Sequence, residues 1–289
     1  MGGADDSTAT DAATGQESRR HAQSRRFAIL LAGHSSPYSQ QRYGDYNGMF
    51  LALLGGNGAR GDADKGGKGG GAEEGGEDAG GGEGEQWDVY AVVDGEFPSD
   101  EVLAEVEAVV VTGSKHDAHA DDPWVVRLCA VLQRLHQRKT KILGVCFGHQ
   151  VVGRALGGRT GRAAVGWELG IKQVQCSADV TSLPYAAGLP PSFHILEIHQ
   201  DQVLELPPGA VLLGSSPGTP IEMFAMGEHV LCMQGHPEFT KDVVEDLVVN
   251  RTKDGVIPEA VAAEALKSLE MYNENIKELR TLCNSFLRS

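Results

Sequence analysis

The sequence predicts an α/β fold with a mostly parallel sheet. Two observations carry this. Short apolar runs alternate with stretches of helical spacing between residues 27 and 156, and one such run ends in a cysteine that opens at once into a helix. Strands alternating with helices are joined by crossovers, and crossovers align neighbouring strands in parallel.

Residues 27–32 form a wholly apolar run closed by Gly33, as expected of a strand buried on both faces. Apolar residues recur at helical spacing over 43–54, and Gly55-Gly56 supplies the stop. From 55 to 86 nearly half the residues are glycine, and acids outnumber bases. Such a stretch buries too little apolar surface to offset its ordering entropy, so it is expected to be a disordered insertion in a surface loop. Order resumes with a strand at 87–93, a short helix at 101–106 and a strand at 108–111 that runs into Thr112-Gly113-Ser114. A helix at 122–137 has Pro123 in its first turn, a strand follows at 141–145, and a helix at 147–156 is closed by Gly157-Gly158. Beyond Gly166 shorter strand-like pieces take over, at 171–174, 211–213, 223–225 and 230–234. Residues 243–249 and 258–287 read as helical, with Glu and Lys on the exposed faces.

Composition narrows the function. The 289-residue chain carries a formal charge of −15, which repels phosphate backbones and anionic lipid surfaces, so neither nucleic acid nor a membrane is an expected partner. No run has the length and apolarity of a membrane span. Residues 1–26 lack the apolar core of a secretory signal and contain acids that transit peptides avoid, so they read as a disordered leader. The five cysteines have no paired or metal-like spacing. Free thiols in a reducing, cytosolic compartment are expected, with neither metal nor cofactor.

The most informative segment is Gly144-Val145-Cys146-Phe147-Gly148-His149-Gln150. A strand, a cysteine, a glycine two residues on and an immediate helix follow the logic of a nucleophile elbow, with sulfur in place of oxygen. The sulfur stands at a helix N-terminus, where the dipole favours thiolate. The N–H of Phe147, directly after the nucleophile, is suited to hold a developing oxyanion, and the Gly113-Ser114 turn after a neighbouring strand is suited to supply a second donor. A cysteine nucleophile needs a base, and His236 stands out among the ten histidines. It lies in Gly235-His236-Pro237-Glu238 directly after a predicted strand. Residues two apart in extended chain point the same way, so Glu238 can reach the His236 imidazole and fix its tautomer. His149 could face either pocket or solvent, His116 and His119 lie in a loop near the expected oxyanion turn, and His199 could line the site.

Gly144-x-Cys146-x-Gly148-x-Gln150, with His236-Pro237-Glu238 beginning 90 positions after the cysteine, resembles the signature of the class I glutamine amidotransferase family. The segments at 93–98, 113–118 and 166–170 resemble the plant and algal γ-glutamyl peptidases within it. The resemblance implies an open, doubly wound, flavodoxin-like α/β sheet with ligands at its carboxyl edge. It implies Cys146 as nucleophile, His236 as base and Glu238 as orienter, with Gln150, His199 and Asp201 contacting the glutamyl group. It also implies a small γ-glutamyl substrate, glutathione or its S-conjugates. A glutaminase subunit serving a separate synthase partner, or a non-catalytic binding protein, are the alternatives. The expected plan is a catalytic domain over 27–250, interrupted at 55–86, and a helical extension over 251–289 packed on it.

Overall fold

The computed structural model describes residues 24–55 and 84–289. The expected leader and glycine-rich insertion lie outside the described residues, apart from their edges. There the ordered chain extends further than the apolar run suggested: β1 (Arg25–Leu30) and β2 (Glu85–Tyr90) pair in parallel, beginning with Arg25 opposite Glu85.

Between them lie α1 (Pro37–Tyr43) and α2 (Tyr46–Leu54). The Asp45 carboxylate caps α2, and Gly55 closes it in the left-handed conformation at φ 74°. The chain continues through α3 (Asp100–Glu105), β3 (Ala108–Val111), α4 (Pro123–Gln137), β4 (Lys141–Val145) and α5 (Phe147–Ala155). Next come β5 (Arg159–Arg162), β6 (Glu168–Cys176), β7 (Ser192–His199), β8 (Asp201–Glu205), β9 (Val211–Ser215), β10 (Met223–Met226) and β11 (Val230–Met233). Three helices finish the chain: α6 (Lys241–Lys253), α7 (Glu259–Met271) and α8 (Ile276–Arg288).

Nine strands form one sheet in the order β2-β1-β3-β4-β11-β10-β9-β6-β7. The half from β2 to β11 is parallel and the half from β11 to β7 antiparallel. The α/β class predicted from the sequence holds. The small second sheet of β5 and β8 was not anticipated, nor was the break of the last helical stretch at 272–275.

Alternate residues of the parallel strands feed two cores. Phe27, Ile29, Val110, Leu143 and Val145 pack with α2, α6, α7 and α8, while Ala28, Leu30, Val109, Val111 and Ile142 pack with α3, α4 and α5. Burial on both faces is why these strands read as unbroken apolar runs. Helix α8 is integral to the first core, through Leu279, Leu282, Phe286 and Leu287. Arg288 near its end bonds both carboxylate oxygens of Glu85, at 2.7 and 2.8 Å, and the carbonyl of Leu54 at 3.0 Å. Asn284 donates to the carbonyl of Leu53 at 3.2 Å. Phe286 is fully buried, edge-on to Tyr185 and beneath the Lys141 ammonium. Phe286→Ala should cost about 3–5 kcal/mol, read as a lower urea midpoint with an unchanged slope.

Candidate active site

Cys146 stands between β4 and α5 at φ 53° and ψ −105°, a backbone conformation that a residue with a side chain rarely adopts. Two contacts hold it there. Its N–H donates to the Met233 carbonyl on β11 at 3.0 Å, and Gly148 seats the first turn of α5 against the end of β3. A Cβ on Gly148 would fall 2.1 Å from the Val111 carbonyl oxygen, so only glycine lets the helix start this close. Phe147 is the first residue of α5, and its N–H therefore has no carbonyl one turn back to bond.

His236 follows β11 and is fixed by a backbone bond from its N–H to the Leu196 carbonyl on β7 at 2.8 Å. Its Nδ1 lies 2.8 Å from Glu238 Oε1, and its ring stacks on Phe239 with centroids 4.0 Å apart. Nε2 is buried and has no geometric hydrogen-bond partner among the described residues, which leaves it available to Cys146. Burial pushes the imidazole down, but the Glu238 carboxylate and the Cys146 sulfur outweigh it and raise its pKa to about 10. The Gly113 turn closes on the same point. A Cβ on Gly113 would sit 3.0 Å from His236 Cε1 and 3.7 Å from Cys146 Cβ. Ser114 braces the turn by accepting from the His116 N–H at 3.0 Å.

Cys146, Ser114, Gln150, His199 and Asp201 line one pocket, and Gly113, Phe147, His236 and Glu238 stand around Cys146 behind it. The amide nitrogen of Gln150 donates to the Asp201 carbonyl at 2.7 Å, and His199 Nδ1 lies 3.0 Å from the same oxygen. Because a carbonyl only accepts, Nδ1 carries the ring proton. Both side chains thus hold the turn that presents the Asp201 carboxylate. That carboxylate pairs with Arg162 at 3.0 Å, directly opposite in the β5–β8 ladder, and lies 3.5 Å from His119. Asp117, His119 and Asp201 place ligand-type atoms within 4.8 Å of one another, with the Arg162 guanidinium against both acids. His149 faces neither pocket nor solvent: it is fully buried against Phe224, and burial drives its pKa down to about 3.

Sequence reasoning missed the acids behind the pocket. Glu197, Glu222 and Glu168 are buried on neighbouring strands and loops, with His199 Nε2 at 3.4 Å from Glu197 and 3.9 Å from Glu168. Burial raises Glu222 to about 8 and, with Glu222 beside it, lifts Glu197 well above the carboxylate range. Stability should therefore fall on both sides of a maximum near pH 6. Glu222 and His236, raised on folding, contribute stability that is lost as pH rises toward about 8 and 10. His149 and His199, both depressed to about 3, contribute stability that is lost as pH falls below their unfolded value. Thermal melts from pH 4 to 10 check this, and Glu222→Gln should flatten the alkaline side.

The sheet is doubly wound, with a strained cysteine beside a buried His–Glu pair at its edge, and comparison with known proteins gives the family. Residues 90–252 match the family profile described as glutamine amidotransferase class-I, so the chain belongs to that family and is an enzyme. Among its relatives are Arabidopsis thaliana gamma-glutamyl peptidase 3, 35% identical over 269 residues covering 92% of this chain and 98% of that one, and gamma-glutamyl peptidase 5, 34% identical over 266 residues covering 91% and 96%. A glutamine amidotransferase structure from Thermotoga maritima superposes with a TM-score of 0.63 at 18% identity, covering 92% of this chain and 99% of that one.

Proposed function

We propose that this enzyme hydrolyses the γ-glutamyl bond of glutathione and related γ-glutamyl peptides through a glutamyl thioester on Cys146. The observation that carries the reading is the meeting of Cys146, at its strained elbow, with a His236 imidazole backed by Glu238. The Cys146 thiolate attacks the γ-carbonyl carbon, and the Phe147 N–H with the Gly113-Ser114 turn holds the oxygen that becomes negative. As the intermediate collapses the carbon–nitrogen bond breaks, and His236 gives its Nε2 proton to the departing amine. Water then transfers a proton to His236 and attacks the thioester, releasing glutamate and restoring the thiolate. Asp201, held by Gln150 and His199, suits the ammonium of the glutamyl group. No described helix is long and apolar enough to cross a membrane, and a cytosolic setting fits this substrate.

Purified protein should release glutamate from glutathione or a glutathione S-conjugate without any added partner. Release from free glutamine alone would replace this reading with that of a glutaminase subunit.

A further inference from the structure

The pocket is lined by two cations, Lys115 and Arg251, that form no ion pair with the described residues. Arg162 lines it but is paired with Asp117 and Asp201. Lys115 and Arg251 also line it, and neither has a carboxylate within ion-pair distance among the described residues. Arg251 lies near the end of α6, partly buried, with its guanidinium over the Trp167 ring at 5.9 Å. Trp167 itself lies just before β6 and faces the same pocket.

A cation near a helix C-terminus ordinarily serves the helix dipole, and that is the plain reading of Arg251. Its setting asks for more. In a chain of charge −15, this arginine lies over an indole that lines the same pocket as Cys146, and a guanidinium is a planar fork whose geometry grips a carboxylate through two hydrogen bonds.

Resting on the proposed γ-glutamyl hydrolysis, we infer that Arg251, steadied by Trp167, selects substrates whose leaving group ends in a free carboxylate. A γ-glutamyl peptide brings one ammonium and two carboxylates, whereas glutamine brings one of each. The ammonium and carboxylate of the glutamyl end share a carbon, so neighbouring residues must meet them. Asp201 and Asp117 suit the ammonium, and Lys115, two positions from Asp117, suits its carboxylate. That leaves Arg251, on a separate element, for the carboxylate at the far end of the leaving peptide. Arg251 is thus a specificity determinant, and its pairing disfavours glutamine, which has nothing to place there.

The test compares kcat/KM for glutathione and for its C-terminal glycinamide, in the wild type, Arg251→Met and Arg251→Lys. The wild type should prefer the free acid by about 10–100-fold, the range for a hydrogen-bonded charge contact. The preference should shrink to near unity in Arg251→Met and be partly restored in Arg251→Lys, with thermal melts confirming that both variants fold. An equal rate on both substrates in the wild type, or an equal loss on both in Arg251→Met, overturns the role of Arg251 and leaves the hydrolysis standing. No cleavage of either by the wild type overturns the hydrolysis, and this inference with it.

Discussion

Cys146→Ala should reduce glutamate release by at least about 10⁴-fold, because it removes the atom proposed to form the covalent intermediate and leaves only binding and oxyanion stabilisation. The protein should nonetheless fold, since the cysteine side chain is small and sits at the pocket floor. Cys146→Gly should be equally inactive but more stable than the wild type. The φ of 53° with ψ of −105° at this residue is a strained backbone, and strain of this kind costs about 1–3 kcal/mol for a residue with a side chain. Glycine relieves that strain but gives part of the gain back through its more flexible unfolded chain, so a net increase on the order of 1 kcal/mol is expected. A melting temperature that drops in the glycine variant would show that the elbow is not strained. Glutamate release that survives in either variant would remove Cys146 from the mechanism.

The second large effect concerns Glu238. Glu238→Gln keeps the shape and a hydrogen-bond acceptor for His236 but removes the charge. Turnover should fall by about 10²–10⁴-fold, the scale of losing an oriented acid–base group. The pH profile carries the sharper prediction. In the proposed mechanism His236 must be protonated to stabilise the thiolate and to protonate the leaving amine. With the His236 pKa raised to about 10, kcat/KM in the wild type should hold through neutral pH and decline only as pH approaches that value. Glu238 is the foremost group raising that pKa, so in Glu238→Gln the alkaline decline should begin at distinctly lower pH. A profile that drops in height without shifting would mean that Glu238 only packs beneath the ring.

What could be read from sequence was what is enforced locally. The parallel strands β1, β3 and β4 were legible because burial on both faces leaves no polar position in them beyond the half-buried Arg25, Arg26 and Lys141 at their starts. The strands β5 (RTGR) and β8 (DQVLE) were not, since short, largely polar ladders resemble loops. The extension through β6 and β7 was only partly visible, because Glu168, Glu197 and His199 turn into a buried cluster while Gln173 and Gln175 of the same sheet face water, so no clean alternation results. The meeting of Cys146, His236 and Glu238, the trio proposed to be catalytic, was legible for the same reason as the core strands. An elbow dictates glycine two residues after its nucleophile, and a histidine and its orienter two residues apart need no distant partner. Arg162, Arg251, Glu197 and Glu222 escaped notice because only their tertiary surroundings give them meaning. In sequence each resembles an ordinary solvated charge.

The grip of α8 on the far side of the molecule bears on how this protein varies. Arg288 and Asn284 clamp residues 53–54 and Glu85, so one helix face holds both the point where the chain leaves the described fold and the point where it returns. With the two ends tied together, the number of residues between them is nearly uncoupled from the energetics of the domain, because closure entropy changes only with the logarithm of length. The position is therefore a natural port, where sequence can drift, shorten or be exchanged for a foreign module while the catalytic apparatus, held by other strands, keeps its shape.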